Sequence, residues 1–447
     1  MGRTGGEASP TASSMTGKAG DGVAAPMNTA HYQRTENVNG IRVLTESMPN
    51  LRSVTAGFWV GVGSRDEPLE LSGISHFIEH LLFKGTEKRS ARRIAEEFDA
   101  MGGELNAFSA KEYTCYYAKV LDERVAEAME VMVDMLLRSV MRPQDVDAER
   151  KVILEEIAMH EDSPDDIIHD LFVSALWESH PLGQSVLGNH NVVSTLDDGD
   201  VRSFFKRFYR PENIVVAVAG NVEHDRVVEM VDELMNADGG GERHRRHTVV
   251  PDIRPHTVVY DRPTEQAHMV LGTQGLPRNH PSRFALAVLD NVLGGGMSSR
   301  LFQKVREERS LAYSIFSYHS MYVETGMLAV YAGSKPENAS AVMELIKEEM
   351  ENILEKGITR DELERAKGHI KGSLVLSLED SGSRMTRLGK AEICGSDILS
   401  LDELLAGIDA VTVDDVMRLA HRLFAPRKLV AAVIGPFGER EIQGHLF

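Results

Sequence analysis

Cysteine is nearly absent. Only Cys115 and Cys394 occur in 447 residues, which excludes a disulfide framework and a cysteine-built metal cluster and points to a reducing compartment. Positive charge is also scarce: 49 Lys and Arg stand against 68 Asp and Glu, a formal net charge of −19. A nucleic-acid partner, which needs a basic surface, is therefore not expected. No apolar run approaches the roughly 18 residues that a bilayer crossing takes, so no membrane span is expected. The first thirty residues are rich in Gly, Ala, Ser and Thr and lack the apolar core of a secretory signal. Gly6 stands where myristoylation wants Ser or Thr, and Glu7 and Asp21 do not suit a transit peptide. The expectation is a disordered tail over residues 1–32 of a cytoplasmic protein.

What is present is a globular composition, 42% hydrophobic and 26% charged, in a chain too long for one ordinary core. Residues 238–247, D-G-G-G-E-R-H-R-R-H, break all periodicity, and Pro251 and Pro255 follow. A linker over 238–256 thus separates two domains, 33–237 and 257–447. Strands are expected over 40–45, 53–60, 105–110, 114–120 and 213–220 in the first half. In the second they fall at 257–261, 268–274, 312–318 and 326–332. Helices are expected over 90–101, 124–138, 143–160, 164–177 and 201–208, then 283–293, from Ser298, 336–356 and 359–378. Both halves run strand, strand, helix, helix, strand, strand, long helices. Sliding residues 142–157 by 217 positions lays them on 359–374, with Glu149 on Ala366 and Glu156 on Ser373. The fold class is α+β: two tandem homologous domains, each a mainly antiparallel mixed sheet with helices packed on one face.

The stretch Gly73–Leu82, G-I-S-H-F-I-E-H-L-L, carries the chemistry. His76 and His80, four apart, share one side of a helix, and Ile74, Phe77, Ile78 and Leu81 take the other. Two imidazoles at this spacing suit zinc, and Glu79, beside them but outside the chelating pair, can serve as general base. The order H-x-x-E-H is that of an inverted zinc-protease motif. The duplicated helix 283–293 has no histidine. A catalytic zinc takes a third protein ligand. The helix after Pro143 offers Glu149, Glu155, Glu156, Glu161 and His160. Val146, Ile153 and Ile157 mark its buried face; Glu149 and Glu156 lie together near the edge of that face, and Glu155 points away. His160 also lies on the buried side, so phase alone leaves it in competition with the glutamates.

H-F-I-E-H-L-L-F-K-G-T (76–86) together with E-R-K-V-I-L-E-E-I (149–157) resembles the pitrilysin/insulinase family of inverzincin metallopeptidases, closest to its two-domain processing-peptidase branch. The resemblance extends from about residue 36 to the end. It implies one zinc ion per chain on His76, His80 and Glu156, with Glu149 supporting a histidine ligand and Glu79 as general base on a zinc-bound water. It implies that G-G-E-L-N-A-F (102–108) is an edge strand pairing with the substrate backbone through Asn106 and Ala107. Arg306 and Tyr313, seven apart in the second half, match a pair that reaches substrate and transition-state oxygen. Asp166 and Asp170 match acidic positions that grip an arginine before the cut. Non-catalytic partners in the family carry a long glycine-rich loop; Gly294–Gly296 is only a short version and reads as a helix boundary, while the chain's own zinc motif makes it resemble the catalytic type. The implied function is a zinc-dependent endopeptidase cleaving peptides or small unstructured proteins inside a closed clamshell chamber. The chamber implies pairing, as a homodimer or with a paralogous chain. A non-proteolytic assembly subunit is disfavoured by the intact motif. A metal-dependent hydrolase of small molecules is disfavoured by the edge strand and the duplicated wall.

Overall fold

The computed structural model describes residues 32–235, 243–246, 248–424 and 428–437. The expected tail, 1–32, lies outside them apart from Tyr32, as do 238–242 and 247 of the expected linker. Among the described residues no helix is long and apolar enough to cross a membrane.

Strands β1 (Tyr32–Glu36), β2 (Arg42–Ser47), β3 (Ser53–Val60), β4 (Glu104–Ser109), β5 (Thr114–Leu121) and β6 (Ile214–Gly220) form one sheet in the order β1-β2-β6-β3-β5-β4. Strands β7 (His256–Asp261), β8 (Ala267–Gln274), β9 (Ala312–Met321), β10 (Gly326–Ser334) and β11 (Val430–Gly435) form a second, β7-β11-β8-β10-β9. With β1 set aside the two orders are the same. Each sheet has one parallel pair, β2 with β6 and β7 with β11, and is otherwise antiparallel. This is the tandem α+β duplication expected from the sequence.

Period-2 alternation in β3 explains how the first module is layered. Val54, Ala56, Phe58 and Val60 join the core under that module's own helices. Thr55, Gly57 and Trp59 face the other way, and they too are buried. A strand apolar on both faces needs two covers. The second cover comes from the other half of the chain. Helix Ser381–Ile393 brings Met385 and Leu388 against Leu44, Trp59, Val215 and Ala217. In return, helix Pro164–Leu176 of the first half lays Ile168, Phe172 and Leu176 on Val270, Ala329, Val430 and Ala432 of the second sheet. Helices of its own therefore lie on one face of each sheet, and an exchanged helix covers the opposite face.

Both exchanged helices dock over a glycine. A Cβ at Gly57 would strike the Met385 sulfur, and one at Gly272 would strike the Phe172 ring. Gly57→Val and Gly272→Val should each cost roughly 1–3 kcal/mol of unfolding free energy through overpacking. Urea titration of the full chain tests this, and an unchanged midpoint would mean that the helices can ride higher than described.

Charged groups tie the same junction. Glu112, 1% exposed, accepts from Arg65 Nη1 at 2.8 Å in its own half and from Arg278 Nη2 at 2.5 Å and Val323 N–H at 3.1 Å in the other. Arg65 also pairs with Glu324. The described part of the expected linker is pinned here, with Arg246 bound to Asp66 at 2.8 Å and to the Glu112 carbonyl. The helix expected from Ser298 is a wider π-helix over Phe302–Glu307. Beyond Leu378, where no individual helix or strand is expected from the sequence, helices Ser381–Ile393, Leu401–Asp409 and Val413–Leu423 and strand β11 complete the second domain.

Candidate metal centre

The His helix, Ile74–Leu82, starts at Gly73, whose φ of 95° is left-handed and favours glycine. Its first N–H groups are satisfied by Glu67, which accepts from Gly73 N–H at 2.6 Å and Ser75 N–H at 2.8 Å. Ile74, Phe77, Ile78 and Leu81 are buried, as their spacing requires. The Glu helix, Pro143–Glu161, opens on a proline in its first turn and packs against the His helix. Val146, Glu149, Ile153 and Ile157 form its buried stripe, and Glu155 is exposed.

The two helices bring His76, His80 and Glu156 together, with one ligand atom from each within 4.8 Å of the others. Glu156 Oε2 lies 3.7 Å from His76 Nε2 and 3.6 Å from His80 Nε2. Zinc bonds of about 2.0–2.2 Å in a tetrahedron put ligand atoms roughly 3.3–3.6 Å apart, so this donor set fits zinc. No other such group occurs among the described residues. His160 does not join it; its Nε2 faces Asp170 Oδ2 at 3.4 Å. Geometry thus separates His160 from the glutamates, with which helical phase leaves it in competition.

Burial, with His80 alongside, pushes His76 down to about 4, so its imidazole is neutral near pH 7 and has a lone pair to give. Burial also raises the Glu79 carboxyl; Ser109 and His80 oppose that rise, and Glu156 adds to it. Glu79 Oε2 is buried without a hydrogen-bond partner. A carboxylate raised above its ordinary value, with one oxygen uncommitted, is suited to taking a proton. Behind His80, Nδ1 faces Glu149 Oε2 at 3.2 Å, and Glu149 Oε1 meets Lys84 Nζ at 2.6 Å. Glu149 itself is only 4% exposed.

Strand β4 is the edge of the first sheet; it carries Asn106 exposed and Ala107 half-buried, and Asn106 Oδ1 accepts from the Ala107 N–H at 2.8 Å. Arg306 and Tyr313 are brought together, the guanidinium carbon 5.2 Å from the Tyr313 ring centre and 4.8 Å from that of Phe302. Tyr313 is 80% exposed. Among the described residues no hydrogen bond or ring contact joins this pair to the histidines. Asp166 accepts from the Ser163 hydroxyl at 2.7 Å and is exposed. Asp170 accepts from Ser185 at 2.7 Å; burial acts to raise it, but His160, Lys111 and Ser185 hold it below its ordinary value. Sequence reasoning missed Glu67, Lys84 and Ser109. Of these only Lys84 left a signal, its position four residues after His80.

Residues 42–190 match the insulinase family, peptidase family M16, and residues 195–369 match the peptidase M16 inactive domain. The chain is 45% identical over 416 residues to an uncharacterized zinc protease of Streptomyces coelicolor, covering 92% of this chain and 90% of that one. It is 43% identical over 402 residues to the uncharacterized zinc protease YmxG of Bacillus subtilis, covering 90% and 97%. Among solved structures, a protease from Helicobacter pylori superposes with a TM-score of 0.85 at 22% identity, over 91% of this chain and 99% of that one. A peptidase M16 inactive domain from Pseudomonas fluorescens superposes with a TM-score of 0.86 at 18% identity, over 92% and 98%. The structural likenesses show the shared two-module fold; the sequence matches show the family. The chain belongs to the insulinase family of peptidases, M16.

Proposed function

We propose that this zinc metallopeptidase is an endopeptidase that cleaves peptides or small unstructured proteins inside a closed chamber. The observation that carries the reading is the convergence of His76, His80 and Glu156 beside a buried Glu79 oxygen without a partner. His76, His80 and Glu156 would hold the zinc. When bound, zinc supplies Lewis acidity, which brings a water's pKa toward neutral and polarises a carbonyl. Glu79 takes the proton from the attacking water and passes it to the leaving amine. Glu149 holds His80 in the orientation that presents Nε2.

The substrate backbone adds to the free edge of β4 at Asn106 and Ala107, a mode that gives affinity with little sequence preference. Arg306 and Tyr313 of the second module are placed by this reading as donors to substrate and to the developing oxyanion. An arginine before the cut would engage the exposed Asp166, since Asp170 is already held by Ser185 and His160. Modules 33–237 and 257–447 form half of the chamber, and a second copy or a paralogous chain completes it.

Digestion of an unfolded polypeptide, followed by mass spectrometry, tests the reading. Internal cuts are expected, with a tightly folded protein left intact. Release of terminal residues alone, or equal attack on the folded protein, would contradict it. Sedimentation of the purified chain should give a dimer; a monomer that is fully active would remove the chamber.

A further inference from the structure

We propose that Lys84 is a positioning residue of the metal centre: its ammonium, fixed on Glu149, holds the carboxylate that orients His80. This rests on the reading of His76, His80 and Glu156 as the zinc ligands. Lys84 stands four residues after His80, just past the end of the His helix, and both side chains reach the same carboxylate, Glu149. Its backbone cannot drift. Lys84 N–H donates to the Leu81 carbonyl at 3.0 Å, and the chain then turns at Gly85, whose φ is 114°. Beyond the turn, Gly85 bridges to Ser90 and the Thr86 hydroxyl donates to Asp134 at 2.6 Å.

Glu149 has both oxygens committed, Oε1 to Lys84 at 2.6 Å and Oε2 to His80 Nδ1 at 3.2 Å. A carboxylate gripped at both oxygens has one orientation. Next to it His80 carries its proton on Nδ1, which leaves the Nε2 lone pair directed at Glu156. Without Lys84, Oε1 of this buried carboxylate loses its cation, and Glu149 is free to turn away from the imidazole. Simple electrostatics predicts the opposite sign. Removing a cation close to a dication site should tighten metal binding, whereas loss of the brace should loosen it.

The experiment is zinc affinity by chelator competition on the full chain, comparing wild type, Lys84→Met and Lys84→Arg. The side-chain nitrogens of His80 are also read by NMR in the metal-free proteins. Lys84→Met should bind zinc about 10-fold more weakly or worse, and Lys84→Arg should recover most of the loss. In metal-free wild type His80 should hold its proton on Nδ1, and Lys84→Met should give a tautomer mixture. A tautomer change, or a loss of affinity that Arg restores, supports the assignment. Unchanged or tighter binding with an unchanged tautomer overturns it. A loss that Arg does not restore, with the tautomer unchanged, marks a merely structural lysine and also overturns it. A wild type that binds no zinc would remove the metal reading itself, and the tautomer would still decide the role of Lys84.

Discussion

Glu79→Gln should slow peptide hydrolysis by roughly 10²–10⁴-fold while leaving zinc at one ion per chain. Glu79 lies on the His helix between the two histidines in sequence, yet its carboxyl is not among the three groups that converge, those of His76, His80 and Glu156. The amide is nearly isosteric, so neither helix should move. What disappears is an oxygen able to accept a proton. In the native chain burial raises that carboxyl above its ordinary value, and Oε2 has no hydrogen-bond partner. The check is kcat on an unfolded peptide alongside metal analysis of the same preparation. Full activity with zinc retained would remove Glu79 from the chemistry. Loss of zinc would instead make it a ligand.

Glu112→Ala should lower the unfolding free energy by about 3–5 kcal/mol, the cost of breaking a buried ion pair by removing one partner. The carboxylate is 1% exposed and is shared by Arg65 from one module and Arg278 from the other. Deleting it leaves two guanidinium groups close together at the junction, with Glu324 still bound to Arg65. It also frees the Val323 N–H. The measurement is urea unfolding of wild type and variant. A difference below about 1 kcal/mol, the usual worth of an exposed pair, would show that the junction does not depend on this group.

The histidine pair of the candidate metal centre was legible because its information is local. A four-residue spacing fixes the two histidines on one helix side, and apolar phase removes Glu155, which is indeed exposed. Phase could not choose among Glu149, Glu156 and His160, because it gives a face and not a distance, and the family resemblance alone singled out Glu156. In the structure His160 faces Asp170 of the helix that begins at Pro164, and Glu149 is taken up by His80 Nδ1 and Lys84. Glu67 and Ser109 reach the His helix only through tertiary packing, and nothing in their own surroundings announces it. The exchanged helices were hidden for a similar reason. Helix Pro164–Leu176 shows an apolar face, but a face says that something covers it and not which sheet does. The two-sided burial of β3 was the available clue. V-T-A-G-F-W-V is apolar at almost every position, not at alternate ones, and so asks for a cover on each side.

Hydrolysis by this chain should depend on bound zinc, and removing the metal shows whether it does. The protein is stripped with a chelator, assayed on an unfolded peptide, and titrated with zinc. Activity should vanish on stripping and rise linearly to its full value at one equivalent per chain. The same titration of His80→Ala, which removes one of the three converging groups, should recover little at that stoichiometry. Undiminished hydrolysis by the metal-free protein, or full recovery of His80→Ala with one equivalent, would mean that hydrolysis does not run through zinc on these three groups.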